Sequence, residues 1–171
     1  GAAIGVGLPP RSLDAVLGVV KAYTTRVGSG PLPTEMDGPM EERVRKLGNE
    51  FGATTGRPRR CGWFDAVVVR YAARINGLTD IAMTKLDVLD TLDRVAICTG
   101  YEYDGDVHTE FPGDITVLYR ADRPDQLEHP FFGGRLRRLR HRHVVVRHAE
   151  RLDRAFEVGM IVEHTRDVAL E

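Results

Sequence analysis

The apolar residues near the start of the chain recur at the spacing of one helical face. They are Leu13, Val16, Leu17 and Val20, which follow the i, i+3, i+4, i+7 rule. Ser12 stands where an N-cap would, because its hydroxyl can accept a hydrogen bond from a backbone N–H of the first turn. We therefore predict a first helix that begins after Ser12.

Two further helices are predicted downstream. A short amphipathic helix with Met40 and Val44 on its apolar face ends at Gly48, since glycine readily adopts the backbone that closes a helix. A longer apolar face runs over residues 64–75, and the pair Asn76-Gly77 ends it.

Short apolar runs between turn residues predict the strands. Residues 81–84 and 95–99 are two such runs, and residues 101–109 form a hairpin that turns at Asp104-Gly105. Strands that alternate with helices are typical of the α/β class. We expect part of a mostly parallel sheet flanked by helices, with one small β-hairpin.

Composition places the chain among soluble globular proteins. It has 171 residues, of which 42% are hydrophobic and 29% are charged. No apolar run is long enough to span a membrane, and residues 1–10 do not resemble a signal peptide. Two cysteines and these features favour the cytoplasm. The net charge of −1 calls for neither nucleic acid nor an anionic membrane as a partner.

The loop over residues 48–63 is the first candidate site. Gly52 and Gly56 bracket two threonines, and three arginines follow within four positions. Amides, hydroxyls and guanidinium groups together suit a small polyanionic ligand, and Pro58 stiffens the backbone between two of the arginines. The alternative is a charged surface loop paired with nearby acids.

The second candidate site is Lys85-Leu86-Asp87, which follows the predicted strand at residues 81–84. Ligands of open α/β sheets bind beyond the carboxyl ends of strands. The Asp87 carboxylate could accept from the ring N–H and the exocyclic amine of guanine, and the Lys85 stem could cover the base. The alternative is a surface ion pair, because short motifs often occur by chance.

Three strings in the chain resemble one family, adenylosuccinate synthetase. They are residues 21–35, 48–63 and 84–90, and their order and spacing also match. The resemblance covers residues 1 to about 118. It implies a ligase of AMP biosynthesis, which uses GTP to join IMP and L-aspartate into adenylosuccinate, with GDP and phosphate as the other products. It also implies Mg²⁺ as cofactor and a homodimer.

The resemblance also implies a role for each site residue. The loop that receives aspartate and faces IMP would consist of Ala53, Thr54, Thr55, Gly56, Arg57, Pro58 and Arg59. Within it the threonines would donate to aspartate, and Arg57 would face aspartate and IMP. Arg59 would reach toward GTP. The guanine-recognition segment would consist of Lys85, Leu86 and Asp87.

The chain departs from the family pattern at both ends. The phosphate-binding loop of the Gly-Asp-Glu-Gly-Lys type, which carries the base and a Mg²⁺ ligand, is absent, and so is the upstream catalytic histidine. We therefore assign no catalytic residue and no metal ligand, and we expect the Mg²⁺ ligands in an N-terminal part. His108 is expected to be an exposed structural residue. We expect this chain alone to be inactive.

Residues 119–171 form a second segment of different composition. It has no lysine, holds five of the six histidines, and lacks the family's Gly-Pro-x-Arg-like ending. We expect a divergent Arg/His-rich tail that is frame-shifted near residue 118 or poorly ordered. Two alternative functions stay open: a nucleic-acid-binding module that uses residues 135–148, and a degenerate product without function. The near-zero net charge and the lack of interleaved aromatic residues disfavour nucleic acid.

Overall fold

The computed structural model describes residues 1–92, 95–120, 126–127 and 143–147. Its helices are α1 (Ala2–Gly5), α2 (Gly38–Gly48), α3 (Ala66–Asn76) and α4 (Ile115–Arg120), with 3-10 turns at Pro10–Ser12 and Leu86–Val88. Its strands are β1 (Leu17–Lys21), β2 (Thr24–Arg26), β3 (Arg60–Gly62), β4 (Phe64–Asp65), β5 (Asp80–Thr84), β6 (Ile97–Cys98), β7 (Tyr101–Tyr103), β8 (Asp106–His108), β9 (Gln126–Leu127) and β10 (His143–Arg147).

The predicted first helix is wrong, because Leu17 and Val20, two of its four apolar residues, lie in strand β1. This strand pairs in parallel with β5, so that Leu17 lies opposite Asp80 and Lys21 opposite Thr84. Adjacent β-branched residues favour a strand, and Gly18 weakens a helix. A Cβ on Gly18 would lie 2.5 Å from the Leu78 side chain, so this glycine permits close packing beside the strand. Tertiary pairing with β5 overrides the local periodicity.

The other two predicted helices are confirmed. Asp37 caps α2 by accepting from the Met40 amide at 3.0 Å, and Asn49, in the left-handed conformation at φ 52°, follows the last helical residue. Asp65 caps α3, which Gly77 ends at φ 59°. The helix begins at Ala66, two residues later than predicted, because residues 64–65 form β4.

The predicted strands and hairpin are also present. Strand β5 matches residues 81–84, whereas β6 is shorter than the predicted 95–99. The hairpin of β7 and β8 turns at Asp104 and Gly105, both with positive φ. Parallel pairs β1–β5 and β4–β6, with helices beside them, confirm the α/β class.

The sheets are short, and antiparallel strands extend two of them. β10 pairs with the other side of β5, and β9 pairs with β6. The rest of the proposed tail over residues 119–171, including most of residues 135–148, lies outside the described residues. Within the described ranges, no helix is long and apolar enough to cross a membrane.

The main core lies between α2, β5 and the residues after it. Its most deeply buried members include Tyr23, Val44 and Cys61, and Met83, Leu86 and Leu89 pack with them. This core fixes the end of β1, the end of α2 and the segment that follows β5 relative to one another. Those are the places from which the candidate site residues extend.

Candidate functional site

The first candidate loop is a compact turn closed by its own backbone. The Gly56 amide donates to the Gly52 carbonyl at 2.9 Å, and the Gly52 amide donates to the Arg57 carbonyl at 2.9 Å. Gly56 has φ +64°, a conformation that side-chain-bearing residues rarely adopt. The Thr55 hydroxyl accepts from the Arg57 amide at 3.4 Å. The turn therefore has a defined shape without any ligand.

The tip of this loop is exposed to solvent. Every residue from Ala53 to Pro58 is exposed, including Thr54, Thr55 and Arg57. The hydrogen bonds recorded for the tip stay within residues 52–57. Hydroxyl and guanidinium donors thus stand on an ordered turn and face water, as donors for a dissolved anion must.

Arg59 lies at the base of the loop, where its amide, its carbonyl and its guanidinium each form a hydrogen bond. Its amide donates to the Glu50 carbonyl at 3.1 Å, and its own carbonyl accepts from Arg45 Nε at 2.7 Å. Its Nη1 donates to Glu50 Oε2 at 2.9 Å. The backbone of Arg59 is therefore fixed, and its half-exposed guanidinium depends on one carboxylate.

Glu50 is the residue that organises this region, and the sequence analysis missed it. Its carboxylate accepts from the Tyr23 hydroxyl at 2.7 Å and from Lys21 Nζ at 3.2 Å, in addition to Arg59. Its side chain is only 3% exposed. Glutamate is rarely buried unless it is paired, so the burial of Glu50 marks it as an organising residue. Burial cannot be seen in the linear sequence, and for that reason Glu50 is not predicted from it.

Burial alone would raise the pKa of Glu50, but the hydrogen bonds from Tyr23, Arg59 and Lys21 and the charge of Lys21 outweigh it. The pKa of Glu50 is consequently below its usual value, and the residue is ionised at neutral pH. Burial, and then the bond to Glu50, raise the pKa of Tyr23. Tyr23 therefore stays protonated and donates.

The second candidate segment follows β5 and is bent sharply at its start. Lys85 has a left-handed backbone at φ 62°, which begins the 3-10 turn over Leu86–Val88. Its Nζ donates to the Gly48 carbonyl at 2.8 Å. Leu86 is buried in the core, whereas Asp87 is exposed. Leu86 thus anchors the segment, and Asp87 reaches the surface.

The structure brings the two candidate segments together at the end of α2. Lys85 binds the carbonyl of Gly48, and two residues later Glu50 binds Arg59. Arg59 and Lys85 were predicted to serve the same nucleotide, and both attach to residues 48–50. Among the described residues, no hydrogen bond joins the tip residues Thr54, Thr55 and Arg57 to the Lys85 segment.

The third arginine of the loop has a structural role. Arg60 forms a two-pronged ion pair with Glu35, with Nη2 to Oε2 at 2.7 Å, and donates to the carbonyls of Gly28 and Gly30. The Arg60 hydrogen bond holds the pKa of Glu35 below its usual value. This pair borders an open pocket of about 560 Å³ lined mainly by residues 29–38.

The two cysteines, Cys61 and Cys98, are both buried. Burial raises the pKa of Cys61 to about 11 and that of Cys98 to about 12, so both thiols stay protonated and are poor nucleophiles. His108 is exposed on β8. No group of three or more His, Cys, Asp or Glu that could hold a metal occurs in the described part of the chain.

These features define an α/β protein whose polar loops extend from strand and helix ends, where enzymes of this class bind ligands. The sequence model of the family described as adenylosuccinate synthetase matches residues 1–131, which continues past residue 118. The chain belongs to the adenylosuccinate synthetase family, a family of ligases in AMP biosynthesis. The resemblance seen in the sequence is therefore confirmed.

Individual relatives agree with this assignment. The adenylosuccinate synthetase of Moorella thermoacetica is 60% identical over 122 residues, and that of Heliobacterium modesticaldum is 56% identical over 122 residues. Each match covers 71% of this chain and 29% of the relative. The structure is similar to that of fully ligated adenylosuccinate synthetase from Plasmodium falciparum, with a TM-score of 0.64 and 36% identity over 70% of this chain and 29% of that one. The chain thus spans about 29% of the length of the relatives that it matches.

Proposed function

We propose that this chain supplies the substrate-binding loops of an adenylosuccinate synthetase, which uses GTP to join IMP and L-aspartate. The shared attachment of Arg59 and Lys85 to residues 48–50 carries this proposal. It brings together two segments that lie 26 residues apart and that we had assigned separately to GTP. In this scheme Asp87 reads guanine, Lys85 covers the base, and Arg59 binds the phosphates.

The exposed tip of the loop would receive the other substrates. Thr54 and Thr55 offer hydroxyl donors for the carboxylates of aspartate, and Arg57 offers a guanidinium for aspartate and IMP. The backbone closure between Gly52 and Gly56 orders these donors before binding, which lowers the entropy lost when a ligand docks.

The described residues contain no group of three or more His, Cys, Asp or Glu that could hold a metal ion. We propose that the Mg²⁺ ligands, the phosphate-binding loop and the base belong to a part of the enzyme outside this chain. We further propose that the complete enzyme is a cytoplasmic homodimer and that this chain alone binds nucleotide weakly without turnover.

Nucleotide selectivity tests this proposal. The chain is titrated with GDP and with ADP by calorimetry, alongside an Asp87→Asn variant, whose amide cannot accept from both guanine donors. We expect saturable binding of GDP, weaker binding of ADP, and loss of the preference in the variant. Equal affinity for the two nucleotides in the unmodified chain would refute the guanine site.

A further inference from the structure

We propose that Glu50 is a positioning residue that holds the Arg59 guanidinium toward bound nucleotide. This inference rests on the proposed function, because it assumes that Arg59 faces GTP. It adds a residue that touches no substrate and acts through another side chain.

Different contacts hold the backbone and the side chain of Arg59. Glu50 and Arg45 fix the backbone through the Arg59 amide and carbonyl. Among the described residues, the Glu50 carboxylate accepts the one side-chain hydrogen bond that Arg59 donates. Removing that carboxylate would therefore leave the backbone in place and release the guanidinium.

The charges of the cluster do not cancel. One buried carboxylate faces two cations, Lys21 and Arg59, whose side chains are 30% and 35% exposed. The Tyr23 hydroxyl completes the coordination of Glu50 without adding charge. A single positive charge thus remains at the surface, and the guanidinium has further N–H donors beyond the one that Glu50 accepts. That combination attracts and orients an anion such as a phosphate.

The link to the guanine segment is short. Glu50 lies two residues beyond Gly48, whose carbonyl binds Lys85, and the left-handed backbone of Asn49 joins the two. Glu50 therefore sets the place of Arg59 relative to the residues that would hold the base. A nucleotide requires this fixed separation, because its base and its phosphates lie at a limited distance from each other.

A double-mutant cycle on GDP affinity tests the inference. The variants are Glu50→Gln, Arg59→Gln and both together, with Glu42→Gln on the exposed side of α2 as the control. We expect Glu50→Gln to weaken GDP binding about tenfold, because the Arg59 guanidinium loses the carboxylate that orients it and this loss outweighs the added positive charge. We expect less than a twofold effect when Arg59 is already glutamine. An equal effect in both backgrounds, or none in either, would overturn the inference.

A second readout separates this inference from the proposed function. The Arg59 Nε–Hε resonance reports whether the guanidinium is held, and no nucleotide is needed to observe it. We expect it to shift and broaden in Glu50→Gln but not in Glu42→Gln. If the unmodified chain binds no GDP, the proposed function fails. If the Arg59 resonance is unchanged in Glu50→Gln, the positioning role is overturned, whether or not GDP binds. Should Glu50→Gln not fold, Glu50→Asp keeps the charge but shortens the side chain, with the same expectations.

Discussion

Lys85 Nζ donates to the backbone carbonyl of Gly48 at 2.8 Å, across 37 positions of sequence. The bond joins the segment after β5 to the end of α2. Because Glu50 follows closely and binds Arg59, the two candidate segments form one region of the surface.

Loss of the Lys85 contact should destabilise the fold modestly. Lys85→Met keeps the apolar stem but leaves the Gly48 carbonyl without this donor, so we expect a loss of about 1 kcal/mol in the free energy of unfolding. Lys46→Met is the matched control, since Lys46 forms an exposed pair with Glu42. We expect less than about 0.5 kcal/mol there. Urea unfolding measures the free energy of unfolding of both variants. Equal losses would count against a stabilising contact between Lys85 and Gly48.

The end of α2 should not tolerate an added methyl group. A Cβ on Gly48 would lie 2.2 Å from the Tyr23 hydroxyl, which is itself bound to Glu50. We expect Gly48→Ala to cost about 1–3 kcal/mol of stability by displacing that hydroxyl. Gly38→Ala, with nothing within 4 Å of the added atom, should be close to neutral. Thermal melts of the two variants would contradict this account if their midpoints agreed.

Asp65 should matter more than an ordinary helix cap. It caps α3 at the Val68 amide and also accepts from the buried Tyr101 hydroxyl at 2.7 Å. Asp65→Ala should therefore cost about 2–3 kcal/mol, the sum of a lost cap and an unpaired buried hydroxyl. Asp37→Ala removes only the exposed cap of α2 and should cost about 1 kcal/mol. Chemical denaturation distinguishes the two, and the reverse order would be inconsistent with the structure.

The sequence predicts those elements that local residue patterns determine, and it does not predict those that depend on contacts between distant parts of the chain. Helices α2 and α3 follow from their own periodicity and end residues, and the Asp104-Gly105 turn follows from its residue types. Strand β1 does not, because its apolar spacing also fits a helix and only pairing with β5 decides the outcome. The sequence predicts a binding site at the tip of the first loop, and that stays a prediction. The burial of Glu50 is not predicted, since it depends on Tyr23 and Lys21 from a distant strand end.

Acid should weaken the fold through Glu50. Its pKa is lowered in the folded protein, so the folded state holds the charge more firmly than the unfolded chain does. Its stabilising contribution is present above the ordinary value of 4.5 and is lost as pH falls below it. Asp65 acts in the opposite sense, because burial, despite its hydrogen bonds, raises its pKa. Only a difference between variants therefore isolates Glu50.

The measurement is the free energy of unfolding of the unmodified chain minus that of Glu50→Gln between pH 7 and pH 3. We expect a constant difference down to about pH 5 and a decline below pH 4.5 as the carboxylate is protonated. Tyr23, which donates to this carboxylate, stays protonated because burial raises its pKa. A difference that stays constant to pH 3 would show that the charge of Glu50 does not stabilise the fold.

Chemical-shift mapping of GDP on the ¹⁵N-labelled chain tests the central claim most directly, namely that the two segments form one nucleotide site. We expect saturable shifts of the Lys85, Leu86 and Asp87 amides, and shifts at Glu50 and Arg59 with the same dissociation constant. ADP at equal concentration should give smaller changes. Shifts that are confined to one segment, that differ in dissociation constant between segments, or that are equal for the two nucleotides would contradict a single guanine-nucleotide site.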